Sequence, residues 1–177
     1  GEMNNVPGAE LLAAESQLFV NIEYTKYEID KAKVRNVFQQ TEKLLDRFIN
    51  NNNISVDLAN RGAVSLHRYA SFLHKQGENA EKILEKALKL VNLGIKLEPN
   101  NDSLLHSKGR VFKKWARINK DRGENPSFPL EQSIILYRQA LNSGTGTTMT
   151  FDSLANSHAS LAKWQATNRE SFSVNFD

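Results

Sequence analysis

Seven basic side chains crowd positions 108 to 122, Lys108, Arg110, Lys113, Lys114, Arg117, Lys120 and Arg122, with Phe112 and Trp115 among them. Lys and Arg at helical spacing bind anions, so the chemistry on offer is recognition of carboxylates or phosphates. Arg110, Lys113 and Arg117 fall on one stripe of a helix, and Lys114 on another. If Trp115 is exposed, the same cluster becomes a nucleic-acid surface, with an aromatic platform for a base and salt-sensitive phosphate contacts. If Trp115 packs between helices, the basic stems merely cover its surface. Four histidines raise the question of a metal, since His67 and His74 lie seven apart on one face and His106 follows. The His-Glu-x-x-His spacing is absent, and no His and carboxylate cluster stands at ligand spacing on one helix, so no metal is expected. The segment Gly144-Thr145-Gly146-Thr147-Thr148 lacks the Gly-Lys-Ser/Thr ending of a phosphate loop and reads as a connector. Gly-x-Ser-x-Gly is absent as well, and no Ser, His and acid arrangement stands out, so neither a catalytic group nor a cofactor is expected.

Any such surface must be held by helices. The chain of 177 residues is long enough for a continuous core, and its 23 basic against 20 acidic residues leave a net charge of +3. That balance is too mild to act by itself as a nucleic-acid footprint, which is why clustering matters. With no cysteine, disulfides and thiolate chemistry are excluded. No apolar run reaches membrane-spanning length and no signal peptide is visible, so the expectation is a soluble, cytoplasmic or otherwise intracellular protein with no membrane partner.

Helical periodicity covers most of the chain, with no sustained alternation of period two, which predicts an all-α fold of about seven helices. Ala80, Ile83, Leu84, Ala87, Leu88, Val91 and Ile95 line one face, while Glu78 with Lys82 and Glu85 with Lys89 support the other; Pro99 then stops the helix. The helices are expected at about 8–27, 30–49, 56–75, from about 80 to Pro99, from about 102, 130–141 and 151–167. In the last of these, Leu154, Ala155, Ala159, Ala162 and Leu161 are expected to face inward. Residues 1–7 read as a disordered segment or a cleavage remnant, 8–167 as the domain and 168–177 as a tail.

Several of these features together resemble the tetratricopeptide (TPR) repeat family. Leu66, Ala70 and Leu73 occupy first-helix slots, Lys75-Gln76-Gly77 the turn, and Ala87 with Gly94 the small second-helix sites before Leu97-Glu98-Pro99-Asn100-Asn101. Leu105, Gly109 and Phe112, then Ser133, Tyr137, Ala140 and Leu141, match the next unit, and Ala155, Ala159 and Ala162 open a third. On this register Ala70, Gly109 and Ala159 correspond, at spacings of 39 and 50 residues against about 34 for the family. The family Trp is missing, and Pro99 is the one match to the terminal proline.

The resemblance implies antiparallel helical hairpins stacked as a TPR-like α-solenoid whose groove is lined by the first helix of each pair. Carried over residue by residue, the partner-binding face is His67, Ser71 and His74, then His106, Arg110 and Lys113, then Asn156, Ser160 and Lys163. Because His106 and Arg110 stand where chaperone-binding members place Lys and Asn, that specificity is not implied. The expected function is a noncatalytic scaffold that binds a protein or acidic peptide segment, alone or as the sensor or assembly region of a larger protein. The alternative is a nucleic-acid-binding helical domain using residues 108–122.

Overall fold

A computed structural model describes residues 8–51, 53–144 and 147–173, with side chains as far as Asn168. The expected terminal segment 1–7, residues 145–146 of the glycine-threonine connector and residues 174–177 of the tail lie outside the described residues. Among the described residues the chain forms seven α-helices and no strand: α1 (Ala9–Tyr27), α2 (Lys31–Asn51), α3 (Val56–Lys75), α4 (Glu81–Leu97), α5 (Asp102–Asp121), α6 (Ser127–Ser143) and α7 (Thr148–Ser173). None is long and apolar enough to cross a membrane. The helices divide into two compact units, residues 1–99 and 100–177.

Local chemistry sets the helix boundaries, and it recurs at a fixed interval. The Leu58 N–H donates to Ser55 Oγ (2.9 Å), that of Leu104 to Asn101 Oδ1 (3.0 Å) and that of Thr150 to Thr147 Oγ1 (3.3 Å), capping the starts of α3, α5 and α7. Residues 55, 101 and 147 are spaced 46 apart (101 minus 55, 147 minus 101). The ends of α3 and α5 keep the same step. Gly77 and Gly123 both have φ of 75°, a left-handed conformation that glycine adopts without steric cost. The next N–H then reaches back to the helix, Glu78 to the Leu73 carbonyl (2.9 Å) and Glu124 to that of Asn119 (2.8 Å). Asn79 and Asn125 follow, each accepting at Oδ1 from the N–H two residues on, at 2.9 Å. The pair α3–α4 therefore reappears as α5–α6, helix for helix.

This interval corrects the register taken from the family pattern. Gly109 corresponds to Ala63, and Ala70 to Ala116. The earlier spacings of 39 and 50 paired positions that are not equivalent in the fold.

In the first unit α3 runs along α4, while α1 and α2 pack on each other and on α3. Phe38 of α2 stacks on Tyr69 of α3, ring centroids 5.0 Å apart. A buried hydrogen bond from Asn21 Nδ2 to Thr41 Oγ1 (2.7 Å) joins α1 to α2. The Lys86 ammonium of α4 bonds Glu42 and Asp46 of α2, the latter at 2.8 Å.

In the second unit α6 lies against both α5 and α7, and α7 also touches α5. Leu104, Val111, Ile118, Leu130 and Tyr137 form its interior. Pro129 sits in the first turn of α6, where a missing N–H breaks no helical bond, so the helix begins earlier than the expected position 130. By the 46-residue step Arg169 stands where Gly77 and Gly123 end the earlier helices. Lacking that glycine, α7 continues to Ser173, through the part of the chain expected to be tail.

The inward face of α7 also differs from expectation. Thr150 and Ser157 are buried, Leu154 and Leu161 are half-buried, and Ala155, Ala159 and Ala162 are exposed. Ser157 Oγ meets Ser133 Oγ of α6 at 3.1 Å, so a polar contact rather than the alanine stripe joins the two helices. Ala155 is equivalent to Gly109, a slot that in α5 faces the following helix. No described helix follows α7.

Candidate functional site

The basic residues of α5 are not equivalent once the chain is folded. Lys113, Arg117 and Lys120, at i, i+4 and i+7, line a cleft of about 370 Å³ together with Asp121, Ala116, Pro126, Leu130 and Ser160. Ala116, Pro126 and Leu130 are buried and form an apolar floor. Three cations stand against one carboxylate, and that carboxylate is partly engaged, with Arg117 Nε 3.9 Å from Asp121 Oδ2. Burial, with the Arg110 charge added to it, holds the Lys113 ammonium below the usual lysine range. An anion in the cleft would relieve both costs.

The 46-residue step shows which earlier positions this line of cations repeats. His67, Ser71 and His74 of α3 are equivalent to Lys113, Arg117 and Lys120 of α5. The expected groove set on α5, His106, Arg110 and Lys113, lies one heptad towards its N-terminus. Lys113 belongs to both sets, whereas Arg117 and Lys120, which line the cleft, were not among the expected groove residues.

Of the nine expected residues, Lys113 and Ser160 meet in the cleft. Arg110 is half-buried beside them and acts on Lys113 through its charge. Asn156 is exposed, and its carbonyl accepts from Ser160 Oγ (2.7 Å); Lys163 is exposed too. His67, Ser71 and His74 are half-buried in the first unit, where Ser71 Oγ donates to the His67 carbonyl (2.9 Å). No group of three or more His, Asp or Glu side chains suited to a metal occurs among the described residues.

His106 has a structural place. Its Nδ1 lies 2.9 Å from Thr150 Oγ1 in the first turn of α7, and its ring packs on Tyr137 with centroids 5.3 Å apart. Its Nε2 is buried with no hydrogen-bond partner among the described residues. Burial, with Arg110 and Lys113 adding repulsion against an opposing Asp102, lowers the imidazole pKa from 6.5 to about 4. Burial also pushes the neighbouring Tyr137 phenol up to about 12, against smaller opposing effects of Ser153 and Arg110.

The histidine carries a pH prediction. An unfolded imidazole takes up its proton near 6.5 and the folded one only near 4, so within that window the unfolded chain binds more protons. The contribution of His106 to stability is thus complete above 6.5 and declines as pH falls towards 4. A full shift of this size would correspond to ~3 kcal/mol, and partial exposure of the ring reduces the expectation to ~2 kcal/mol. Urea denaturation at pH 7 and pH 4.5 should show that His106→Gln loses that much less stability on acidification than the parent; equal losses would remove His106 as the cause.

Neither a family model nor a curated protein sequence matches this chain.

Proposed function

We propose that this chain is a noncatalytic TPR-like helical-repeat module that binds an acidic peptide or protein segment in the α5–α6–α7 cleft. The observation that carries the reading is the line of Lys113, Arg117 and Lys120 along one side of a cleft floored by Ala116, Pro126 and Leu130. Three cations in a recess attract a carboxylate-bearing chain, and the apolar floor gives its stem a surface to bury. The stacked, TPR-like arrangement is supported by the packing within each unit: α3 contacts both helices of the pair before it, and α7 contacts both α5 and α6. The repeat length of 46 exceeds the family's ~34 because both helices of the pair are long, 20 and 17 residues. Packed helices hold the backbone positions of the receptor fixed, so docking orders only the basic side chains and not the segment that carries them. The same module would serve alone or as the sensor or assembly region of a larger protein.

A labelled glutamate-rich peptide, titrated by fluorescence anisotropy at low and moderate salt, tests the reading. Saturable binding that weakens with salt is expected, because the contacts are partly exposed ion pairs. No saturation at low salt would overturn it. The nucleic-acid alternative needs Trp115 open to a base, and Trp115 is half-buried. A single-stranded oligonucleotide binding more tightly than the peptide at the same salt would favour that alternative.

A further inference from the structure

Resting on the acidic-ligand reading, the geometry points to a more specific ligand: we infer that the cleft selects an extended segment in which two carboxylates, three residues apart, flank an apolar side chain. Lys113 and Lys120 are two helical turns apart, about 10 Å along α5. A polyproline-type extended chain advances about 3.1 Å per residue with three residues per turn. Its residues i and i+3 therefore point the same way at about 9 Å, matching the separation of the two lysines. The residue after the first acid is rotated by a third of a turn, towards Ala116, Pro126 and Leu130. Those three side chains are buried in the unliganded fold and line the recess only by their edges, so the floor is already formed and an anchor gains by taking its own apolar surface out of water. Its volume of about 370 Å³ admits one leucine-sized group together with the carboxylate stems. Arg117 stands between the lysines in a weak, exposed pair with Asp121 at 3.9 Å, so it adds attraction to either carboxylate while the two outer lysines fix the spacing.

The test is a set of labelled peptides titrated against the intact chain. The reference contains Glu-Leu-Ala-Glu; the others contain Glu-Ala-Ala-Glu, which lacks the anchor, and Glu-Glu-Leu-Ala, which has the same composition with adjacent acids. The expected result is about tenfold weaker binding without the anchor, from the apolar surface left unburied, and a clear loss with adjacent acids. Ser160→Trp, at an exposed position on the cleft wall, should block the reference peptide. If Glu-Ala-Ala-Glu or Glu-Glu-Leu-Ala binds within about twofold of the reference, selection by anchor and spacing is wrong while acidic-peptide binding stands. If Ser160→Trp binds normally, the peptide sits elsewhere and the inference falls. If no acidic peptide binds, both it and the reading beneath it fall.

Discussion

Reversing two cleft charges, Arg117→Glu with Lys120→Glu, should weaken an acidic peptide by about 2 kcal/mol, roughly 30-fold, while leaving the fold intact. Both residues are exposed. Each substitution removes an attraction worth ~0.5 kcal/mol at a partly solvated site and replaces it with a repulsion of similar size. The Arg117 ion pair with Asp121 is too exposed for its loss to matter to stability, since such pairs contribute little. A matched control is Lys43→Glu with Lys82→Glu, two exposed lysines outside the cleft, which changes net charge by the same amount. If the control weakens binding as much as the cleft pair, attraction is set by overall charge and the site assignment fails. Thermal denaturation of both variants, expected to agree with the parent within a few degrees, separates lost recognition from lost structure.

Gly109→Ala should destabilise the second unit by about 2–3 kcal/mol, although alanine is the better helix former. A Cβ at Gly109 would lie 2.7, 2.9 and 3.0 Å from three atoms of the Tyr137 ring. Tyr137 is fully buried, so its ring cannot swing aside as the tip of a surface side chain can. The repeat supplies the compensating change: at the equivalent positions of α3 and α4 stand Ala63 and Val91, a larger residue on one helix and a smaller one on the other. Tyr137→Val alone leaves a cavity and should cost a further ~3 kcal/mol. The double variant Gly109→Ala with Tyr137→Val should lose at least ~1 kcal/mol less than the two single losses added together. Strict additivity in urea denaturation would show that the two helices do not meet through this pair. A loss below ~1 kcal/mol for Gly109→Ala would show that the interface yields more readily than its packing implies.

The cleft residues Arg117 and Lys120 were legible as part of a basic cluster, but their place in one recess with Lys113 was not. A helix repeats its facing every two turns to within about 20°. Sliding the family pattern by seven residues therefore puts Phe112 and Ala116 where Leu105 and Gly109 stood, with Asn119 the one polar mismatch, and His106, Arg110 and Lys113 satisfied it as readily as Lys113, Arg117 and Lys120. The caps break that ambiguity. Ser55, Asn101 and Thr147, with Gly77 and Gly123, mark helix ends rather than faces, and end markers do not recur every two turns. Glu-Asn follows the glycine in both turns, 77–79 and 123–125, a signal present in the sequence.

Sequence alone determined that the chain is helical and where most helices lie. Periodicity of apolar residues, prolines confined to the ends and side-chain caps are all local, and α3 ran over the predicted residues 56–75. It did not determine which face of α7 is inward, because Ala155 and Ala159 look apolar in isolation while Ser157 is buried by the packing of α7 on α6, where it meets Ser133. Nor did it separate the basic residues of α5 by role. His106 became a neutral, half-buried contact to Thr150, whereas Lys113, Arg117 and Lys120 came to share a recess with Pro126 at the N-cap of α6, Leu130 from α6 and Ser160 from α7. Those outcomes depend on how three helices approach one another, and burial and electrostatic neighbours arise from that approach rather than from spacing along the chain.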